Sequence, residues 1–478
     1  MKTTSKKLLS VLLAVLMLAT TAIPSFAMSD IAWDLVWEGE DAEAGIIMFV
    51  GSDETERNFS WYSDTQSEPY VKIAKDVLML SSSTFKGTSV AAPDGDYANK
   101  VTVSGLEEGT TYFYQCVSGD YTSAVYSFKT ESGTDFSAMY VTDVHITQND
   151  DTKENSLKET SYRFSETYEA ALSQNSDISL ILSTGDQATE GLESEYKAYT
   201  ASPLFKSVSI STAIGNHDRK GVAYKTFTNM PNEDTETSVS SYVGKDYWFV
   251  KGDVLFLIMD SNNGNGADHA AFIERAIEAN PDVKWRVMVC HHDLYSGRIP
   301  HRESENKLLR MIWGPIADEY GIDLVLLGHS HYYTVTNVLY NNKNVTDFAP
   351  EMVDPAGTVY MVSCSLGRPR DDEEIGLNEW VGFDYLTENA TYNVLDFTKD
   401  SITVNSYELG EDEPFNSYTI TKTTNNGGHQ ETGALQSLWN GFVRGCGKIY
   451  ALFNNIGVYS DLKEDGYDVD FFDCVFGK

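Results

Sequence analysis

From Glu38 to Thr130 apolar residues come in short β-type runs cut by turn residues, with no sustained helical period. Residues 46–50, 59–62, 100–103, 112–117 and 124–128 are the clearest of these runs. About 100 residues of this pattern predict an all-β sandwich. From Asp135 the rhythm changes to apolar runs alternating with helical periods, which predicts a layered α/β domain. Its buried strands are expected at 139–141, 178–182, 208–214, 254–259, 285–290, 324–327 and 359–362. Leu157, Phe164, Tyr168 and Leu172 share one helical face, as do Leu309, Ile312, Trp313, Ile316 and Tyr320, with a kink expected at Pro315.

The flanks read differently. Lys2, Lys6 and Lys7 precede an apolar run from Leu8 to Ala19 and then Ser25-Phe26-Ala27, the pattern of an export leader over 1–27. The mature chain is then expected to start at Met28 in a secreted or cell-surface protein, with no membrane span left. Residues 28–131 form the sandwich and 135–420 the α/β domain. A linker containing Thr-Thr-Asn-Asn-Gly-Gly follows at 421–433, and 434–478 is an appendage, read as packing or capping.

Composition changes the picture in two ways. Of 478 residues, 41% are hydrophobic and 22% charged, which excludes a disordered or polytopic membrane protein. Lys+Arg 35 against Asp+Glu 71 gives a net charge of −36, so nucleic acid and anionic lipid are repelled. Five cysteines form no CxxC pattern. Cys290 and Cys364 lie in apolar runs and read as buried thiols, while Cys446 and Cys474 are close enough in sequence to pair.

The chemistry is carried by histidine. Six of nine histidines fall in four motifs, each after a predicted strand: Asp143-Val144-His145, Gly215-Asn216-His217-Asp218, Cys290-His291-His292-Asp293 and Gly328-His329-Ser330-His331. Gly185-Asp186 follows its strand in the same way. Residues at the carboxyl ends of neighbouring strands converge at one sheet edge. The gathered donors, two Asp, one Asn and four His, suit Zn, Mn, Fe or Co rather than Ca or a structural thiolate zinc site. They exceed what one tetrahedral ion uses, and two ions sharing a carboxylate account for them.

In this order DVH, GD, GNHD, HHD and GHSH resemble the motif set of the calcineurin-like metallophosphoesterases, over about Asp135 to Thr419. Leu106 to Tyr114 resembles the turn and tyrosine-bearing strand of fibronectin type III-like domains, and Trp61 sits at the core-tryptophan position of such sandwiches. With Gly51 to Glu56 leading into Trp61, the chain resembles purple acid phosphatase-like enzymes. The resemblance implies Asp143, His145 and His331 on one metal, Asn216, His291 and His329 on the other, and Asp186 bridging. His217 would face substrate, oriented by Asp218, with His292 beside the ligands and Arg298 toward the substrate phosphate.

The purple enzymes carry a metal-binding tyrosine three residues after the bridging aspartate and lack the histidine of the first motif. Here Thr189 stands at the tyrosine position and His145 is present, so two divalent ions are expected and no purple colour. Neither a G-x-S-x-G elbow nor a P-loop lysine motif occurs, consistent with attack on phosphorus by metal-activated water. The expected substrate is a small phosphate ester, a monoester first. A phosphodiesterase or extracellular nucleotidase is the alternative, and a non-catalytic surface binding protein is a third reading.

Overall fold

The computed structural model describes residues 30–147, 156–235, 243–295, 297, 303–368, 377–430 and 432–476. The expected leader, 1–27, and Arg298 lie outside the described residues, as do His301 and Arg302.

Ile46 to Val50 shows how the two halves join. Successive side chains of a strand point to opposite faces, so an unbroken apolar run implies burial on both. Ile46 and Met48 enter the sandwich core with Phe59, Trp61, Tyr114 and Phe128. Ile47 and Phe49 enter a different core, under the helices, with Met139, Phe164 and Ile210. Each such side chain contributes about 1.5–3 kcal/mol by leaving water. The strand Ile47–Val50 pairs antiparallel with Glu56–Ser63 and parallel with Ser209–Thr212, Phe49 lying opposite Ile210.

Sandwich and α/β domain therefore share one 11-stranded sheet. Its order is Glu351–Val353, Asn416–Thr421, Ser401–Glu408, Thr391–Phe397, Phe136–Val141, Ile178–Ser183, Ser209–Thr212, Ile47–Val50, Glu56–Ser63, Tyr97–Ser104 and Thr88–Ala91. The sandwich is completed by a sheet built on Tyr70–Ala74 and Thr111–Ser118. Trp61 is buried there and donates Nε1–H to Ser118 Oγ at 3.0 Å. The Tyr112 hydroxyl accepts the Glu107 N–H at 2.8 Å, closing the turn before its own strand.

A 7-stranded sheet packs face to face on the first, in the order Tyr247–Lys251, Val254–Ile258, Trp285–Val289, Leu324–Leu327, Val359–Val362, Tyr333–Thr336 and Val381–Tyr385. Ala138, Tyr140, Leu180, Leu182, Phe256 and Trp285 fill the space between. Helix Leu157–Gln174, capped by Ser156, covers one outer face through Phe164, Tyr168 and Ala171. Helices Gly266–Ala279 and Glu303–Glu319 cover the other through Ile273, Ile312, Trp313 and Ile316. The result is the predicted arrangement of two sheets flanked by helices after a β-rich domain. Helix Glu303–Glu319 continues through Pro315.

Several expectations need correction. Helices Asp30–Trp37 and Glu40–Glu43 precede the first strand, and the Asp41 carboxylate accepts the Tyr121 and Tyr126 hydroxyls, each at 2.7 Å. The segment 421–433 is no free tether. Lys422 Nζ donates to the Lys284 carbonyl at 2.8 Å and pairs with buried Asp323, which His429 Nε2 also reaches at 3.0 Å. His429 is thus held against the body of the protein. Cys446 and Cys474 do not pair: Cys446 is exposed on the helix Ala434–Glu464, while Cys474 packs under Val458 and Leu462. Among the described residues no helix is long and apolar enough to cross a membrane.

Candidate metal centre

Five strands end at one edge: Phe136–Val141, Ile178–Ser183 and Ser209–Thr212 of the large sheet, Trp285–Val289 and Leu324–Leu327 of the second. They run parallel within each sheet, so the loops that follow meet. Within those loops Asp143, His145, Asp186, His329 and His331 have φ of 50°, 50°, 52°, 74° and 63°. The left-handed region is unfavourable by roughly 1–2 kcal/mol for a residue with a Cβ. Such strain persists where surrounding structure imposes it, and here it falls on five of the seven candidate ligands.

The side chains converge. Asp143 Oδ1 lies 3.0 Å from His331 Nε2 and 3.7 Å from His145 Nε2, and the two imidazole nitrogens are 3.3 Å apart. Asp186 Oδ2 lies 3.8 Å from His145 Nε2 and 3.3 Å from His291 Nε2. His291 Nε2 is 3.0 Å from Asn216 Oδ1 and 3.2 Å from His329 Nδ1. Atoms bound to one ion at about 2.0–2.2 Å in a tetrahedral array are separated by roughly 3.3–3.6 Å. The observed spacings therefore suit donors around two ions with Asp186 between them.

The far side of the rings gives an independent test of fit. His331 Nδ1 meets the Arg368 carbonyl at 2.6 Å and His291 Nδ1 the Thr184 carbonyl at 3.1 Å. A carbonyl only accepts, so both Nδ1 atoms carry hydrogen and both Nε2 atoms are the ones left to face the centre. The donor set, its spacing and the tautomers fit a pair of transition-metal or zinc ions.

Charges follow from the enclosure. Burial would push the Asp143 carboxyl up, but His331, His291 and His145 hold it well below the usual carboxylate range. Asp186 is lowered likewise, against burial, by His291 and His145. Burial takes His145 down to about 3, against the pull of both carboxylates. His291 resists burial because Asp186 and Asp143 raise it to about 9. Metal loading would displace that proton.

His217 stands at the rim, partly exposed, its ring 4.8 Å from that of His145, and it joins His145 and Asp186 in a group spaced to hold an ion. Its Nδ1 donates to the Thr189 carbonyl at 2.7 Å, which turns Nε2 away from that bond. The expectation that Asp218 orients this ring is overturned. Asp218 is fully buried and spends its oxygens on the Ala188 and Gly215 N–H groups, at 3.1 and 2.9 Å, and on the Tyr196 hydroxyl at 2.9 Å. Burial, then the charge of Asp186, raises its carboxyl to about 7. Asp218 holds the GNHD loop, and a Cβ at Gly215 would lie 2.1 Å from Asp186 Oδ1, so only glycine fits.

Asp260-Ser261-Asn262 is the turn its sequence suggests, with Asp260 Oδ1 accepting the Asn262 N–H at 3.1 Å, and it also braces the site. Asn262 Nδ2 donates to the Ile214 carbonyl at 3.2 Å, and Ser261 Oγ meets His292 Nδ1 at 2.8 Å. His292 is buried with its ring 4.7 Å from that of His329, beside the ligands rather than open to a substrate. From outside, Asn454 Nδ2 of the C-terminal helix donates to the Asn262 carbonyl at 2.7 Å. Tyr333 points into the core, its hydroxyl 2.8 Å from Ser406 Oγ. The side chain of Asn262 was the missed support. Its only sequence signal was its place after an apolar strand.

His269 is buried. Nδ1 lies 2.5 Å from Asp246 Oδ2 and Nε2 donates to the Asn263 carbonyl at 2.9 Å, a geometry that suits an imidazolium against a carboxylate. Burial opposes this charge, but Asp246 raises the ring to about 9. A folded value above the ordinary 6.5 stabilises below pH 6.5, and that stability is lost as pH rises through about 9. Urea unfolding in chelator should therefore show wild type losing on the order of 2 kcal/mol from pH 7 to 10, relative to an Asp246→Asn, His269→Gln double variant. Parallel curves for the two proteins would refute the buried ion pair.

Comparison with known proteins agrees with this architecture. Residues 43–130 match the family described as purple acid phosphatase, N-terminal domain, and residues 137–333 match calcineurin-like phosphoesterase. Purple acid phosphatase 23 of Arabidopsis thaliana is 25% identical over 167 residues, covering 33% of this chain and 34% of that protein. The match thus spans about a third of that relative's length. The structure of purple acid phosphatase PPD1 from yellow lupin (Lupinus luteus) seeds has a TM-score of 0.64 at 17% identity, covering 82% of this chain and 77% of that one. A structure of PhoD has a TM-score of 0.53 at 12% identity, covering 86% and 99%. At these identities both likenesses are of fold. A domain that matches the purple acid phosphatase N-terminal family is thus joined, through a shared sheet, to one that matches the calcineurin-like phosphoesterase family.

Proposed function

We propose that the protein hydrolyses phosphomonoesters outside the cytoplasm. The observation that carries this reading is the convergence of four imidazoles, two carboxylates and one carboxamide at donor spacings of 3.0–3.8 Å. Asp143, His145 and His331 would hold one ion, Asn216, His291 and His329 the other, and Asp186 both. Two divalent ions there, Zn, Mn, Fe or Co, supply a water of lowered pKa and positive charge for the phosphoryl oxygens. Asp143 and Asp186 cancel only part of that charge, so a phosphate anion is drawn in although the chain as a whole carries −36. His217, at the rim, is placed to hydrogen-bond the phosphoryl group and to give a proton to the departing oxygen. The leader pattern of 1–27 supports export.

Side-by-side rates on p-nitrophenyl phosphate and its bis ester, with Mn or Zn added, test the substrate class. The monoester should be hydrolysed roughly tenfold faster or more, about 1.4 kcal/mol of preferential transition-state binding. A reversed ratio would make the protein a diesterase. No hydrolysis of either by protein holding two equivalents of metal would remove the catalytic reading altogether. Export is tested by the N-terminus of protein recovered from culture medium, expected at Met28.

A further inference from the structure

The helix Ala434–Glu464 has two apolar faces, and the described residues cover one of them. Val443, Ala451, Val458 and Leu462 are buried against the body, and a Cβ at Gly447 would come within 2.3 Å of the Gly264 carbonyl oxygen. Away from the body, Leu438, Phe442, Ile449 and Phe453 are 73%, 63%, 62% and 68% exposed, with Trp439, Leu452 and Ile456 exposed beside them. At roughly 200 Å² for a large side chain in full exposure, these fractions leave on the order of 800 Å² of apolar surface. That is about what one partner buries in a stable protein interface.

Spacing says what kind of surface fits. Leu438, Phe442, Gly445, Ile449, Leu452 and Ile456 follow alternating steps of four and three, the 3.5-residue repeat of helices that pair along a seam. From Leu438 to Ile456 the spacing of the seam is the same in both directions. Leu438 and Ile456, Phe442 and Leu452, and Gly445 and Ile449 are each equidistant from position 447. Gly445 leaves a notch, since a Cβ there would meet nothing within 4 Å.

Charge narrows the occupant. Arg444 pairs with Glu319 at 2.7 Å and Lys448 with Asp268 at 3.3 Å, so the nearby cations are used within the subunit and the seam is neutral. A chain with 71 acidic and 35 basic residues is repelled by anionic bilayers, and two copies of it need an uncharged place to meet. We infer that this seam pairs antiparallel with the same seam of a second copy about a two-fold axis at the level of position 447, Ile449 of each chain seated in the Gly445 notch of the other. A two-fold contact of this kind is self-complementary and closed.

Sedimentation of the purified full-length chain at micromolar concentration should give twice the chain mass. Phe442→Glu places a charge in the seam. Gly445→Leu fills the notch while favouring the helix in an isolated subunit. Each should weaken the dimer roughly tenfold or more with helix content retained. Geometry is read by cysteine pairing in a Cys446→Ser background. A mixture of Leu438→Cys and Ile456→Cys chains should form the mixed disulfide, and neither chain alone should cross-link. A monomeric wild type, or a dimer indifferent to both Phe442→Glu and Gly445→Leu, would overturn the inference. So would a monomer that co-sediments with phosphatidylcholine vesicles, because it would put lipid on the seam.

Discussion

Replacement of Asp186 by Asn is expected to lower turnover by roughly three orders of magnitude or more, a loss of about 4 kcal/mol in transition-state stabilisation, and to remove at least one equivalent of metal. Asp186 Oδ2 faces His145 on one side and His291 on the other, the position that both ions would share. Asn has the same shape but no charge, so one anion vanishes from between two cations. Asn Oδ1 can still accept the His217 N–H that Asp186 Oδ1 accepts at 2.8 Å, so the loop should keep its path and the variant should fold. Elemental analysis and turnover of p-nitrophenyl phosphate on the same sample check the result. Retention of two equivalents at full rate would mean that Asp186 is not shared.

His217→Asn should separate binding from chemistry. The ring contacts Thr189 and the edge of the cleft rather than closing the ligand set, so metal content should be unchanged. Turnover should fall by roughly 10²–10⁴ if the ring moves a proton in the transition state. The loss should be smaller for p-nitrophenyl phosphate, whose leaving oxygen needs little protonation, than for an alkyl phosphate. Burial lowers the His217 pKa below its ordinary value, so the protonated ring is present only on the acid side. Wild-type kcat should therefore fall as pH rises through that value, and the variant should lack this limb. A variant that loses metal together with activity would make His217 a ligand, a role its grouping with His145 and Asp186 also allows.

What was legible in the sequence followed from local rules. Residues 324–327 are apolar throughout, and 178–182 are apolar apart from Ser179, because both faces of their strands are buried, and each ends at a motif that must emerge at the sheet edge. Asp143, His145, Asp186, Asn216, His291, His329 and His331 could be nominated because strand ends carry functional loops. What was not legible depends on partners far away in the chain. His269 and His429 are buried because of Asp246, 23 residues away, and Asp323, 106 residues away. Asp218 could not be assigned from its neighbour His217, because its partners Ala188, in the loop that carries Asp186, and Tyr196, on the helix Glu193–Tyr199, are 22 or more residues away. The helix Ala434–Glu464 escaped a periodic reading for two reasons. Apolar residues stand on both its faces, and Gly441, Gly445, Gly447 and Gly457 lower its intrinsic propensity.

The parallel pairing of Ile47–Val50 with Ser209–Thr212 means that the N-terminal sandwich is not an accessory that can be cut away. The strand Ser209–Thr212 leads directly into Gly215, Asn216 and His217, and its outer neighbour is supplied by a segment 161 residues earlier, Phe49 lying opposite Ile210. Amputating the sandwich would bare a row of unpaired amides beside the catalytic loop, an invitation to aggregation. The two halves should instead melt in a single transition, so a domain boundary drawn in sequence would not be one in cooperativity.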